Sequence, residues 1–351
     1  MSKKTVVEQY DHKGHNEKHD ANDHTTNLIK LNNKISLDKE RSMGEGMRMF
    51  MGIMNSRSGS SPVTIKVISQ SEMYGSHHTK YNQELSVCNV IMNNPHRNLI
   101  EIHDIIYTNK NTFTVMEYCY NGSLDSILIN PIKENVALYY LKQLALGVKY
   151  LTDNNIMHRN IKPQNVMLTN NRLTLKMTDF RLAKLKSEMT RSNTICGSPL
   201  YMAPEILNRL SYDDGIDVWS IGMIFYEMLF GIHPFRTCRD YEELRSASET
   251  HIKIPPNNKI KVSSETLSLL KMMLAVDGSD RISIDDILRS EPLNTITPID
   301  RISLKNIFVE MSDTAPEKID TPSTCEDTTD SDDIIDTDYE YISDDDIFDF
   351  E

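Results

Sequence analysis

The spacing of apolar residues changes period near residue 120, and that change restricts the chain to a two-part α+β fold. From about Ile35 to Met116 the apolar residues come in short, β-branched runs. Val63-Thr-Ile-Lys-Val-Ile68 and Thr112-Phe-Thr-Val-Met-Glu117 predict strands, and Ser56 to Pro62 predicts a loop ahead of the first. One helix interrupts them, over Lys80 to Met92, with Leu85, Cys88, Val90, Ile91 and Met92 as its apolar set. From about Ser123 to Ser290 the period becomes helical. Val136 to Leu151 repeats apolar residues every three or four positions, and Asp217 to Phe230 is apolar enough to predict a central buried helix. Short extended segments are expected around Ile156 to His158, Val166 to Leu168 and Leu173 to Met177. A small β-rich part followed by a larger helical one suggests a cleft between them. No internal repeat is present.

Charge narrows the partners. The chain carries a formal −13 over 351 residues, yet the 40 residues from Ser312 onward hold sixteen Asp and Glu against one Lys, so the rest is near-neutral. A nucleic-acid binder needs excess positive charge to replace phosphate counterions, and none is present. Five widely spaced cysteines (Cys88, Cys119, Cys196, Cys238, Cys325) disfavour a disulfide framework or zinc module and favour a reducing compartment. The polar start is unlike a signal peptide, and the longest apolar stretch, Ile221 to Ile232, includes Glu227 and is too short for a bilayer. A soluble, cytoplasmic protein without membrane contact is expected. Residues 1–35 and the acidic tail 299–351 are too polar to pack alone and are expected to be disordered. His12, His15, His19 and His24 lie in the first of these and are read as a solvated tail rather than a metal site. Nothing signals an oligomeric state.

Five motifs then stand in one order: Val63-Thr-Ile-Lys66, His158-Arg-Asn-Ile-Lys-Pro-Gln-Asn165, Asp179-Phe-Arg181, Gly197-Ser-Pro-Leu-Tyr-Met-Ala-Pro-Glu205 and Asp217-Val-Trp-Ser-Ile-Gly222. In register, over roughly residues 38 to 294, they resemble the eukaryotic-type protein-kinase family, on its Ser/Thr branch. The resemblance implies a two-lobed fold, with a small β-rich N-lobe over 38–118 and a larger helical C-lobe over 119–294. It implies ATP and Mg²⁺ as cofactors and a protein as substrate or partner. It gives Lys66 to the nucleotide phosphates, with Glu84 as its ion-pair partner and Glu72 as the fallback. Met116 falls at the back of the adenine pocket, and Glu117, Tyr118 and Cys119 at the hinge. Gly44, Gly46, Met51 and Met167 complete the nucleotide set. Asn165 and Asp179 match the metal positions, where oxygen ligands suit Mg²⁺. Lys162 is placed to touch the transferred phosphate. Glu205 and Arg281 resemble a structural ion pair, and Asp217 the carboxylate that anchors the catalytic loop.

The pattern breaks in three places. Asn160 stands where the family has the Asp that accepts the substrate hydroxyl's proton, and a neutral amide cannot take it. General bases contribute about 10²–10⁴-fold, so a crippled rate is expected. Arg181 replaces the glycine of Asp-Phe-Gly, which should reduce the freedom of that turn and puts a cation beside Asp179. The glycine loop, Gly44-Glu-Gly46, has Met49 at its third position. The first two changes shift local charge by the same sign. Arg181 is therefore expected either to pair with Asp179 or to neutralise phosphate, making ATP binding less dependent on Mg²⁺.

Arg159 remains, and in the family it can clasp a phosphorylated residue; Thr194 is the candidate, with Thr190 and Ser192 behind it. In the tail, Ser331 and Ser343 resemble acid-directed phosphoacceptors and Tyr339 to Ile342 a docking peptide, though a plain solvating tail is preferred. Three functions remain open: an ATP-binding pseudokinase with a regulatory or scaffolding role, a slow Ser/Thr kinase, and a nucleotide-free interaction module.

Overall fold

The computed structural model describes residues 28–43, 48–69, 78–169, 172–185, 197–255, 261–296, 299 and 307. The four N-terminal histidines, Gly44, Gly46, Glu72, Thr190, Ser192, Thr194 and the acidic tail from 312 lie outside them. The chain divides into two compact units, Met1–Gln70 with His103–Tyr118, and Ser71–Ile102 with Cys119–Glu351.

The first unit is built on a six-stranded sheet. Its strands are β1 (Leu28–Lys30), β2 (Ile35–Ser42), β3 (Met49–Ser56), β4 (Gly59–Ser69), β5 (Ile102–Tyr107) and β6 (Asn111–Glu117), in the spatial order β1-β2-β3-β4-β6-β5. β4 is central because its β-branched run can be buried on both sides: Val63, Ile65, Val67 and Ile68 are all inside, with Leu37, Phe50, Phe113 and Val115 around them. Gly52 serves this packing, since a Cβ there would stand 2.4 Å from Ile65 Cδ1 and 2.7 Å from the Ser36 carbonyl.

Two expectations change here. The loop expected over 56–62 shrinks to a turn at Arg57-Ser58, and Gly59 to Pro62 extend β4 as partners of β3. Pro62 is tolerated because β6 begins pairing only at Val63, so the proline lies where β4 has a neighbour on one side. Residues 28–35, placed in the polar N-terminus by composition, contribute β1 and the start of β2, where Ile29 pairs with Leu37.

The second unit is helical. α1 (His78–Asn93) belongs to it by contact, although the family pattern assigns this helix to the N-lobe. α2 (Glu134–Asp153) and α4 (Gly215–Phe230) form the core, and Trp219 in α4 is wholly buried. α3 is the single turn Pro204–Leu207. α5 (Tyr241–Ser248), α6 (Ser264–Met273) and α7 (Ile284–Arg289) start on side-chain caps from Asp240, Ser263 and Ser283, and α8 (Glu291–Asn294) follows. Gly231 ends α4 in the left-handed conformation at φ 66°, with Pro131 packed where a side chain would be. Two small antiparallel ribbons, β7 (Ile156–Met157) with β10 (Lys184–Leu185) and β8 (Val166–Thr169) with β9 (Thr174–Met177), carry the functional loops. Beyond Pro298, where order was expected to fade, Ile307 is buried and its carbonyl accepts from the Lys133 N–H at 2.8 Å. Among the described residues no helix is long and apolar enough to cross a membrane.

Candidate active site

The ribbons determine which loop residues meet. β8 and β9 pair Val166 with Met177, so Asn165 just before one strand faces Thr178 just after the other, and the Thr178 N–H donates to the Asn165 carbonyl at 2.9 Å. β7 and β10 pair Met157 with Lys184, which brings residues 158–160 beside the turn Phe180–Leu182. His158 seals that junction: its ring lies 5.3 Å from Phe180 and its Nε2 is 3.1 Å from the Thr178 carbonyl.

Asp217, buried at the start of α4, holds this loop. Its carboxylate accepts the N–H of His158 at 2.8 Å and of Arg159 at 2.9 Å. Burial pushes the Asp217 carboxyl up, while His158 and the two backbone donors pull it down. Arg159 has φ 63°, a conformation costly for a side-chain-bearing residue, and the two bonds help to hold it there. Its guanidinium donates to the Leu182 carbonyl (2.7 Å) and the Tyr212 hydroxyl (3.1 Å).

Around Asp179 the donors converge. Arg181 Nε reaches Oδ1 at 2.6 Å and Nη2 reaches Oδ2 at 2.8 Å, a two-pronged pair. Asn160 Nδ2 lies 3.4 Å from the same Oδ2, Asn160 Oδ1 lies 3.4 Å from the Ser198 hydroxyl, and the Asn160 carbonyl accepts from Asn165 Nδ2 at 2.9 Å. Lys162 is half-buried. Desolvation lowers its pKa first; Asp179 opposes that shift and Arg181 adds to it. Asn160, Lys162, Asn165, Asp179 and Arg181 thus form one cluster.

The backbone of this turn differs from what the missing glycine suggested. The left-handed residue is Asp179, at φ 65°, whereas Arg181 lies in a right-handed 3₁₀ turn that any side chain accepts. The pair with Asp179, one of the two roles expected of Arg181, is present.

This cluster does not suit Mg²⁺ as the family pattern implies. The ion takes near-octahedral oxygen ligation, often with one or two carboxylates. Both oxygens of Asp179 already accept from the Arg181 guanidinium.

The other candidates fall as follows. Lys66 sits on β4 opposite Met49 and Thr114, and two pairs along Thr64 faces Met51 and Met116. Lys66, Met51 and Met116 thus stand two rows apart on one face of the sheet, with Glu117 at the end of β6. In the second unit Glu84 is buried on α1, Cys119 is buried, and Met167 on β8 bridges to Ser123. Arg281 and Glu205 form a two-pronged pair at 2.6 and 2.9 Å, with Arg281 5.2 Å above the Trp219 ring.

Sequence reasoning passed over two contacts: Ser198 on Asn160 and Tyr212 on Arg159. Neither has a local signal, because the partners are 38 and 53 positions apart. Gly197 gave a weak one. Its φ is 110°, and a Cβ there would stand 2.6 Å from the Arg159 carbonyl, so the chain at Gly197 crosses the loop at Arg159 at backbone distance.

Comparison with known proteins bears on this geometry. The protein kinase domain model matches residues 37–292. The serine/threonine-protein kinase atg1 of Dictyostelium discoideum is 33% identical over 268 residues, 74% of this chain and 39% of that protein. The serine/threonine-protein kinase ULK3 of Rattus norvegicus is 35% identical over 194 residues, 54% of this chain and 41% of that protein. Myosin light chain kinase A of Dictyostelium discoideum is 29% identical over 279 residues, 78% of this chain and 94% of that protein. The chain spans about two fifths of the length of the first two. With a sheet unit, a helical unit and the family model matching most of its length, the chain belongs to the eukaryotic-type Ser/Thr protein kinase family, with its two-lobed α+β fold.

Proposed function

We propose that this chain binds ATP and transfers its γ-phosphoryl group poorly or not at all, acting on a protein partner as a regulator. The observation that carries the reading is the Asn160–Asp179–Arg181 cluster: an amide where the base belongs, and a carboxylate committed to a guanidinium. Bound ATP would supply an activated phosphoryl group; the chain's own task would be positioning and charge stabilisation. The family pattern gives phosphate two cations, Lys66 in the sheet unit and Lys162 in the helical one. Met51 on β3 and Met116 on β6, which flank β4 on its two sides, offer apolar surface to the base, and the family pattern assigns its edge to the Glu117 to Cys119 backbone. An incoming serine or threonine hydroxyl would meet the Asn160 amide oxygen, which accepts a hydrogen bond but leaves the proton on the alcohol.

A second reading, a slow kinase, is favoured by one contact. Ser198 places a hydroxyl 3.4 Å from Asn160 Oδ1, so that oxygen can orient an alcohol while water takes the proton. Radiolabelled transfer to a generic protein substrate separates the two. Transfer at or near background is expected from the purified chain, none from its Lys66→Ala variant, and clearly raised transfer from Asn160→Asp/Arg181→Gly. Robust transfer by the unaltered chain, abolished by Lys66→Ala, would defeat the first reading. A nucleotide-free interaction module predicts no thermal shift with ATP under any condition.

A further inference from the structure

We infer that Arg181 stands in for the divalent cation, so that the chain takes ATP in its metal-free form and Mg²⁺ weakens the binding. The inference rests on the ATP-binding reading above and adds a sign to it. It begins from the Asp179 carboxylate, whose two oxygens meet two nitrogens of one guanidinium at 2.6 and 2.8 Å. Arg is planar and permanently charged, and its fork matches a carboxylate better than a flexible ammonium does. Asn160 Nδ2 adds a donor 3.4 Å from Oδ2. An ion seeking Asp179 must displace the guanidinium from both oxygens and must itself shed water, which Mg²⁺ does reluctantly.

The charges around the cluster point the same way. Lys162 is close enough to feel both partners, drawn by Asp179 and repelled by Arg181, with Asp125 adding a weaker attraction. A carboxylate at 160 and a glycine at 181 would leave Lys162 facing two negative groups, an arrangement that needs an added cation before it can receive phosphate. With Asn160 and Arg181 the balance moves by two charges toward positive. Metal-free ATP carries more negative charge than its Mg²⁺ complex, so it meets this cluster with the larger attraction. The Mg²⁺ complex brings a second cation against Arg181 and Lys162, where like charges repel.

The test is ATP affinity by calorimetry, in EDTA and in saturating Mg²⁺, for the full chain and for Arg181→Gly and Arg181→Gln. The unaltered chain is expected to bind about threefold or more weakly in Mg²⁺ than in EDTA. Arg181→Gly is expected to reverse the order, binding about tenfold more tightly with Mg²⁺. Arg181→Gln, which fills similar space without charge, is expected to follow the glycine variant. Equal or tighter binding of the unaltered chain in Mg²⁺ overturns the inference and leaves the ATP-binding reading intact. Failure to bind ATP in either medium removes both.

Discussion

Truncating Glu205 is expected to cost more stability than truncating its partner, and more than removing the pair together. The Arg281 side chain is 1% exposed and that of Glu205 13%, so the two charges are not equally sheltered. In Glu205→Ala the guanidinium keeps the Gly215 and Ala275 carbonyls and the face of Trp219 but loses its only neutralising charge within salt-bridge distance among the described contacts. Leaving a buried charge uncompensated costs about 3–5 kcal/mol. At about 2–4 °C per kcal/mol for a unit of this size, the melting temperature should fall by about 6–20 °C. In Arg281→Met the remaining carboxylate lies nearer water and keeps part of its hydration, so the loss should be about half as large. Glu205→Leu/Arg281→Met leaves no charge behind and should be no worse than Glu205→Ala. Thermal melts of the four proteins, read alongside urea midpoints, decide the matter. A shift below about 2 °C for Glu205→Ala, or a double variant equal to the sum of the singles, would refute the account.

Three further outcomes are expected. Asp217→Ala orphans the N–H groups of His158 and Arg159 and releases the φ 63° residue, which should cost about 2–5 kcal/mol and lower ATP affinity in the fraction that remains folded. Gly197→Ala puts a methyl 2.6 Å from the Arg159 carbonyl at φ 110° and should cost about 1–3 kcal/mol or more, with the loss confined to folding if Asn160 is undisturbed; urea titration reports it. Burial pushes His233 from an ordinary 6.5 down to about 4, so above pH 6.5 both folded and unfolded chains hold it neutral. As pH falls from about 6.5 to 4 the unfolded chain takes the proton first, and stability drops by up to about 3 kcal/mol. His233→Leu should flatten that fall, even though it gives up the acceptor for the Phe235 N–H. Glu227, pushed up by burial, acts in the opposite direction, so the difference between the two proteins is the readout, and parallel curves would refute the assignment.

What the sequence made legible follows from how far each signal reaches. α2 and α4 were readable within two residues of their ends, because a helix buried on one side writes its period, and one buried all round its unbroken apolar run, into a dozen or more positions. Gly59 to Pro62 look like a loop by composition, yet their place in β4 is decided by backbone groups on β3, which composition does not record. The same holds for Leu28 to Lys30, too short to show a period, and for Ile307, tied by its carbonyl to Lys133. At the site, the Arg181–Asp179 pair was one of two readable alternatives because the residues are two apart on a turn. Ser198 on Asn160 and Tyr212 on Arg159 depend on chain crossings that only the fold supplies.

The two substitutions at the site belong together physically. A carboxylate in place of the Asn160 amide would stand about 3.4 Å from Asp179 Oδ2, where two unit charges repel by about 5 kcal/mol at an effective dielectric of about 20. Arg181 would then face two carboxylates and be held more firmly, so Asn160→Asp alone restores a base while tightening the grip on Asp179. Arg181→Gly alone frees Asp179 but leaves an amide where the proton must go. Each single reversion repairs one half of the site and worsens or ignores the other. Recovery of transfer should therefore be grossly non-additive, visible in the double variant and near background in either single one.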